Sequence, residues 1–135
     1  MSEHIILCHE NHKNDSHSPA EVSMWLNKLM AIEFIGKEIL VKQIQNSKYE
    51  LICGAGFISI KFFISDEKEK FPFRVRIPVE MTAYQHGKHP IIFLLHVLEG
   101  IVHELEVYTA DGSLIDGGIS IQNLYYDVDK LLKNH

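Results

Sequence analysis

From Phe71 onward the chain alternates. Phe71, Phe73, Val75, Ile77, Val79, Met81 and Ala83 fall on one side, and Arg74, Arg76, Glu80, Thr82 and Tyr84 on the other. A period of two is that of a half-buried strand. After a turn at His86-Gly87, the run from Pro90 to Leu98 is apolar except for His96, and Glu99-Gly100 turns the chain into Ile101–Tyr108. Three such segments joined by short turns predict an antiparallel meander with one polar face. The 90–98 run is apolar on both sides. That places it in the middle of the sheet with both faces at least partly covered.

Upstream the period changes. Residues 9–18 hold no large apolar side chain and are expected to be mobile. Ser18-Pro19-Ala20-Glu21 forms a capping box with proline at the first helical position. Val22, Trp25, Leu26, Leu29 and Met30 then follow at helical spacing, and Phe34-Ile35-Gly36 is expected to close this helix with a left-handed glycine. A second helix is predicted over Lys37–Gln45, burying Ile39, Leu40 and Ile44, with Lys37, Glu38, Lys42 and Gln45 on its polar side. Lys48–Cys53 and Phe57–Ile64 read as a strand pair about Gly54-Ala55-Gly56, and 65–70 as a charged loop. Asp111-Gly112 and Asp116-Gly117-Gly118 read as turns. An edge strand is expected over Gly118–Leu124, and Val128, Leu131 and Leu132 suggest a last helical turn. Helices first and strands afterwards predict an α+β fold: two N-terminal helices packed on an antiparallel sheet of about five or six strands.

The 135 residues suit one domain spanning 1–135, and an apolar content of 46% supplies a core without disulfides or metal. The formal charge of −5 argues against nucleic acid and for a basic partner, although solubility alone also gives such a charge. Two distant cysteines, Cys8 and Cys53, and a short N-terminal apolar piece, Ile5-Ile6-Leu7, look neither secreted nor signal-bearing. No apolar run approaches the roughly 20 residues of a membrane helix. The expected setting is the cytoplasm.

Candidate chemistry is thin. Cys8, His9, His12 and His17, with His4 nearby, are zinc-ligand types at a spacing that matches no established module, so no metal or cofactor is expected. His89, His96 and His103 recur along two strands with Glu104 and Glu106. A turn centred on Glu99-Gly100 would bring His96 near His103, and a metal or acid–base enzyme using His96, His103 and Glu104 is the alternative reading. Glu104 and Glu106 stand about 7 Å apart on one face by strand rise. Walker, dinucleotide, Gly-x-Ser-x-Gly and His-Glu-x-x-His patterns are absent from the sequence. The remaining feature is a charged sheet face. Glu80, Glu104, Glu106, Tyr108, Asp111 and Asp116 are the candidate partner-binding residues, because tyrosine among acids is a hot-spot composition for a basic protein. The 118–124 edge strand also leaves room for a second copy to pair.

Arg76-Ile-Pro-Val-Glu80, His89–Gly100, His103-Glu-Leu-Glu-Val-Tyr108 and Ala110-Asp-Gly-Ser-Leu-Ile115 resemble a pattern in small uncharacterised bacterial proteins. There a Pro-Val-Glu strand precedes a Leu-Leu-His-Val strand, and a Glu-Leu-Glu strand ends at an Asp-Gly turn. Trp25-Leu26, Leu29, Phe34-Ile35-Gly36 and Leu40…Gln43-Ile44 fit it as well, so the resemblance spans residues 25–116. Such small acidic proteins are similar in character to the immunity proteins of polymorphic toxin and contact-dependent inhibition systems. The resemblance implies a non-enzymatic protein that binds and neutralises a cognate toxin domain, often a basic nuclease.

Overall fold

The computed structural model describes residues 8–11, 19–54, 56–64, 69–113, 115 and 123–133. Strand β1 (Cys8–Asn11) is followed by helices α1 (Pro19–Leu29) and α2 (Lys37–Gln45) and the strand pair β2 (Lys48–Cys53) and β3 (Phe57–Phe63). Then come β4 (Val79–Tyr84), β5 (Ile91–Leu98), β6 (Ile101–Thr109), β7 (Asn123–Val128) and a 3-10 turn at Lys130–Leu132. The strands form one sheet in the order β1-β2-β3-β6-β5-β4-β7. Six strands pair antiparallel, and β1 joins β2 in parallel. The fold is α+β, with β4-β5-β6 as the meander and the β2-β3 hairpin docked through β3 onto β6.

Alternation decides what is inside. Phe93, Leu95 and Val97 of β5, Leu105 and Val107 of β6, Met81 of β4 and Ile58 and Ile60 of β3 are buried on one face. The helices cover that face. Trp25 of α1 meets Phe93 edge-on at 5.7 Å, and Leu26, Leu29, Leu40 and Ile44 join the same core. Burying each such side chain contributes about 1.5–3 kcal/mol.

Several boundaries differ from the sequence reading. α1 stops at Leu29, and Gly36 (φ +86) instead forms the N-cap of α2. A Cβ on Gly36 would sit 2.6 Å from the Phe71 ring, so both the backbone angle and the space call for glycine. Lys37, expected on the polar side of α2, is largely buried, its ammonium held by Glu33 at 2.7 Å. Val41 is buried where Ile39 is only half-buried. The 71–84 alternation keeps its faces, yet the β4 ladder begins only at Val79, because Pro72 and Pro78 cannot donate to one. Residues 9–11, the start of the 9–18 segment expected to be mobile, belong to β1, which is held by a backbone ladder and not by an apolar pattern. The last described strand is Asn123–Val128, which includes the described part, 123–124, of the strand expected over 118–124 and continues past it, with Leu124, Tyr126 and Val128 alternating inward. Ser18, His4, His12, His17 and residues 118–122 lie outside the described residues.

Candidate functional site

Both helices pack on the core face, and the opposite face of the sheet carries its charge and rings. Cross-strand pairing arranges these side chains in rows. One row runs Glu50, Lys61, Glu104, His96 across β2, β3, β6 and β5. The next runs Ile52, Ser59, Glu106, Leu94, Glu80, Asp127 from β2 to β7. A third runs Phe57, Tyr108, Ile92, Thr82, Tyr125. Four of the six proposed contact residues, Glu80, Glu104, Glu106 and Tyr108, therefore share one surface. Ile52, Phe57, Phe63, Tyr84, Leu98 and Tyr125 are the large exposed apolar and aromatic side chains of this same face. None of them was among the expected contact residues, although the odd positions of β3 and the 124/126/128 alternation would have placed Phe57, Phe63 and Tyr125 there.

The acids are held in place. Ser59 Oγ donates to Glu104 Oε2 at 2.5 Å. His96 lies between two partners: Arg76 Nε donates to Nδ1 at 3.2 Å, and Nε2 lies 2.9 Å from Glu106 Oε1. An Nε2–H tautomer satisfies both contacts. Burial raises the Glu80 carboxyl above its ordinary value, and the charge and hydrogen bond of Asp127 add to the effect. Burial also raises the Tyr108 phenol, with Glu106 and Glu80 adding to it, so it stays protonated and can donate at neutral pH. Asp111 lies apart from the rows, in the turn after β6. It accepts from the Ser113 N–H at 3.1 Å and meets His89 Nε2 at 3.1 Å, and these contacts lower its carboxyl, Ser113 foremost. Asp116 lies outside the described residues.

The histidines do not converge. Leu98 pairs with Ile101 and Val97 with Val102, but His96 pairs with Glu104. His103 is the extra residue of a β-bulge, which turns it to solvent and brings Glu104 opposite His96 in its place. The expected His96–His103 pair is therefore not formed. The signal was in the sequence: Val102 and Leu105 both face inward with two polar residues between them, which a regular strand cannot do. His89 belongs to Asp111 and His96 to Arg76 and Glu106. Among the described residues, no group of three or more His, Cys, Asp or Glu is placed to hold a metal ion, and no described helix is long and apolar enough to cross a membrane.

No protein-family model, curated protein or solved structure matches this chain.

Proposed function

We propose that this protein is a non-enzymatic binding domain that docks a basic protein on the open face of its sheet, and that it serves as an immunity protein neutralising a cognate bacterial toxin domain in the cytoplasm. The observation that carries this reading is the composition of one face. Glu50, Glu80, Glu104, Glu106 and Asp127 stand on it with Lys48, Lys61, Arg74 and Arg76, interleaved with Phe57, Tyr84, Tyr108 and Tyr125. Acids steer a cationic partner and raise its on-rate. Rigid rings provide area at low entropic cost and act as anchors.

The dimensions suit this task. Seven strands spaced about 4.8 Å apart make a face about 30 Å wide. About six residues per strand give a depth of about 20 Å, hence roughly 600 Å². A standard-size complex buries about 800 Å² per partner, so this face with its rim would suffice. Inhibition by occlusion needs no catalytic group. The chain's net charge of −5 also opposes nucleic acid as the direct partner.

The test is co-expression with the toxin-domain candidate of the neighbouring reading frame. The wild-type chain should rescue growth and form a complex at micromolar concentration in low salt. Glu106→Lys and Tyr108→Ala should each weaken the complex about tenfold or more while leaving the fold intact. Loss of affinity on substituting Glu38 or Lys42 of α2, with none on substituting the open face, would sink the reading.

A further inference from the structure

The β3–β6 ladder ends early. Its last rung is Lys61–Glu104, although β3 continues to Phe63 and β6 begins at Ile101. In an unbroken register Phe62, Phe63 and Ile64 would meet His103, Val102 and Ile101. The bulge at His103 prevents it, and the Val102 N–H is taken by Gln43 Oε1 of α2 at 2.8 Å. The two strands part, and a slot of about 460 Å³ opens between them. Its walls are those six residues together with Leu98, Asn46 and Lys48. This volume lies within the usual range of small-molecule sites, about 300–1,000 Å³.

The slot differs in chemistry from the acidic rows beside it. Phe62, Phe63, Ile64, Leu98, Ile101 and Val102 make it apolar, and its polar side chains are Asn46, Lys48 and His103. None of the described lining residues is acidic, in a chain of net charge −5. We infer that this slot binds a small amphipathic anion, an alkyl carboxylate whose chain lies between the parted strands and whose head group meets Lys48 and His103. Apolar area supplies the binding and the cationic rim the orientation. The slot opens on the same side of the sheet and shares Phe63 and Leu98 with the protein-binding face, but Glu80, Glu104, Glu106 and Tyr108 do not line it, so its failure would leave that reading untouched.

Decanoate below its micellar concentration is the probe, decanol the uncharged control, and the intact chain in solution the target. Amide and methyl NMR signals of Phe62, Phe63, Leu98 and Val102 should shift saturably, with a dissociation constant below about 1 mM. Decanol should bind several-fold more weakly. Lys48→Gln should erase that preference with little effect on decanol, and Leu98→Trp, at an exposed position, should fill the slot and abolish both. The inference is overturned if decanoate shifts none of these signals, if decanol binds as tightly as decanoate, or if folded Leu98→Trp binds like the wild type.

Discussion

Gly36 and Glu80 show how single positions are constrained from opposite sides. Gly36 adopts φ +86 and has the Phe71 ring against it. Gly36→Ala should cost about 1–3 kcal/mol in a urea titration, combining the left-handed backbone with displacement of a core ring. Glu80 is a local liability, since burial and Asp127 raise its carboxyl. An acid raised in the fold contributes stability that is full below its unfolded value and lost as pH rises through the folded one. The chain is therefore penalised at Glu80 near neutrality. Glu80→Gln should stabilise by about 0.5 kcal/mol at pH 7, the size of a like-charge cross-strand term. That gain should vanish below about pH 4, where the carboxyl is protonated anyway. Melting curves at the two pH values check the sign. A liability kept on an exposed face accords with a binding role, since the same charge attracts a basic partner.

Among elements, the β5–β6 hairpin organises most of what matters. Glu99 (φ +53) and Gly100 (φ +81) give it the two positive φ angles of a tight two-residue turn. Gln43 of α2 pins its turn end, donating to the carbonyls of Glu69 and Gly100 and accepting from Val102 N–H. Gln43→Met should therefore cost about 2–3 kcal/mol, because buried backbone groups lose their partner. Chemical denaturation measures it, and a cost under about 0.5 kcal/mol would show that Gln43 does not hold the hairpin. The span of α2 and the bounds of β2, β3 and β6 could be read closely from periodicity, because burial follows the side-chain pattern there. β1 could not, because its Cys-His-Glu-Asn sequence is held by backbone bonds to β2. Nor could the start of β4, where the faces persist through Pro72–Pro78 without a ladder. The bulge was legible only as the polar pair His103-Glu104 between inward Val102 and Leu105. Reading past it displaced the histidines by one position and suggested a catalytic pair that the fold does not make.

For the whole molecule, the arrangement is a two-layer body with helices behind and an acid-and-ring surface in front. Four of the six contact residues proposed from sequence fall on that surface because period-two alternation fixes faces. Asp111 was misplaced because a turn follows its own hydrogen bonds, and the aromatic share was missed because it comes from strands that only topology brings together. If electrostatic steering governs encounter, association with the partner should slow by an order of magnitude or more between low and high salt while dissociation changes little. Stopped-flow binding across an ionic-strength series reads this. The most direct measurement is an NMR methyl titration with the toxin-domain candidate of the neighbouring reading frame. Ile92 and Leu94, which point forward from β5, should shift on complex formation, while the core-facing Leu95 and Leu105 and the helix residues Leu26 and Leu40 stay nearly still. Shifts confined to the helical side, with Ile92 and Leu94 unmoved, would contradict the account.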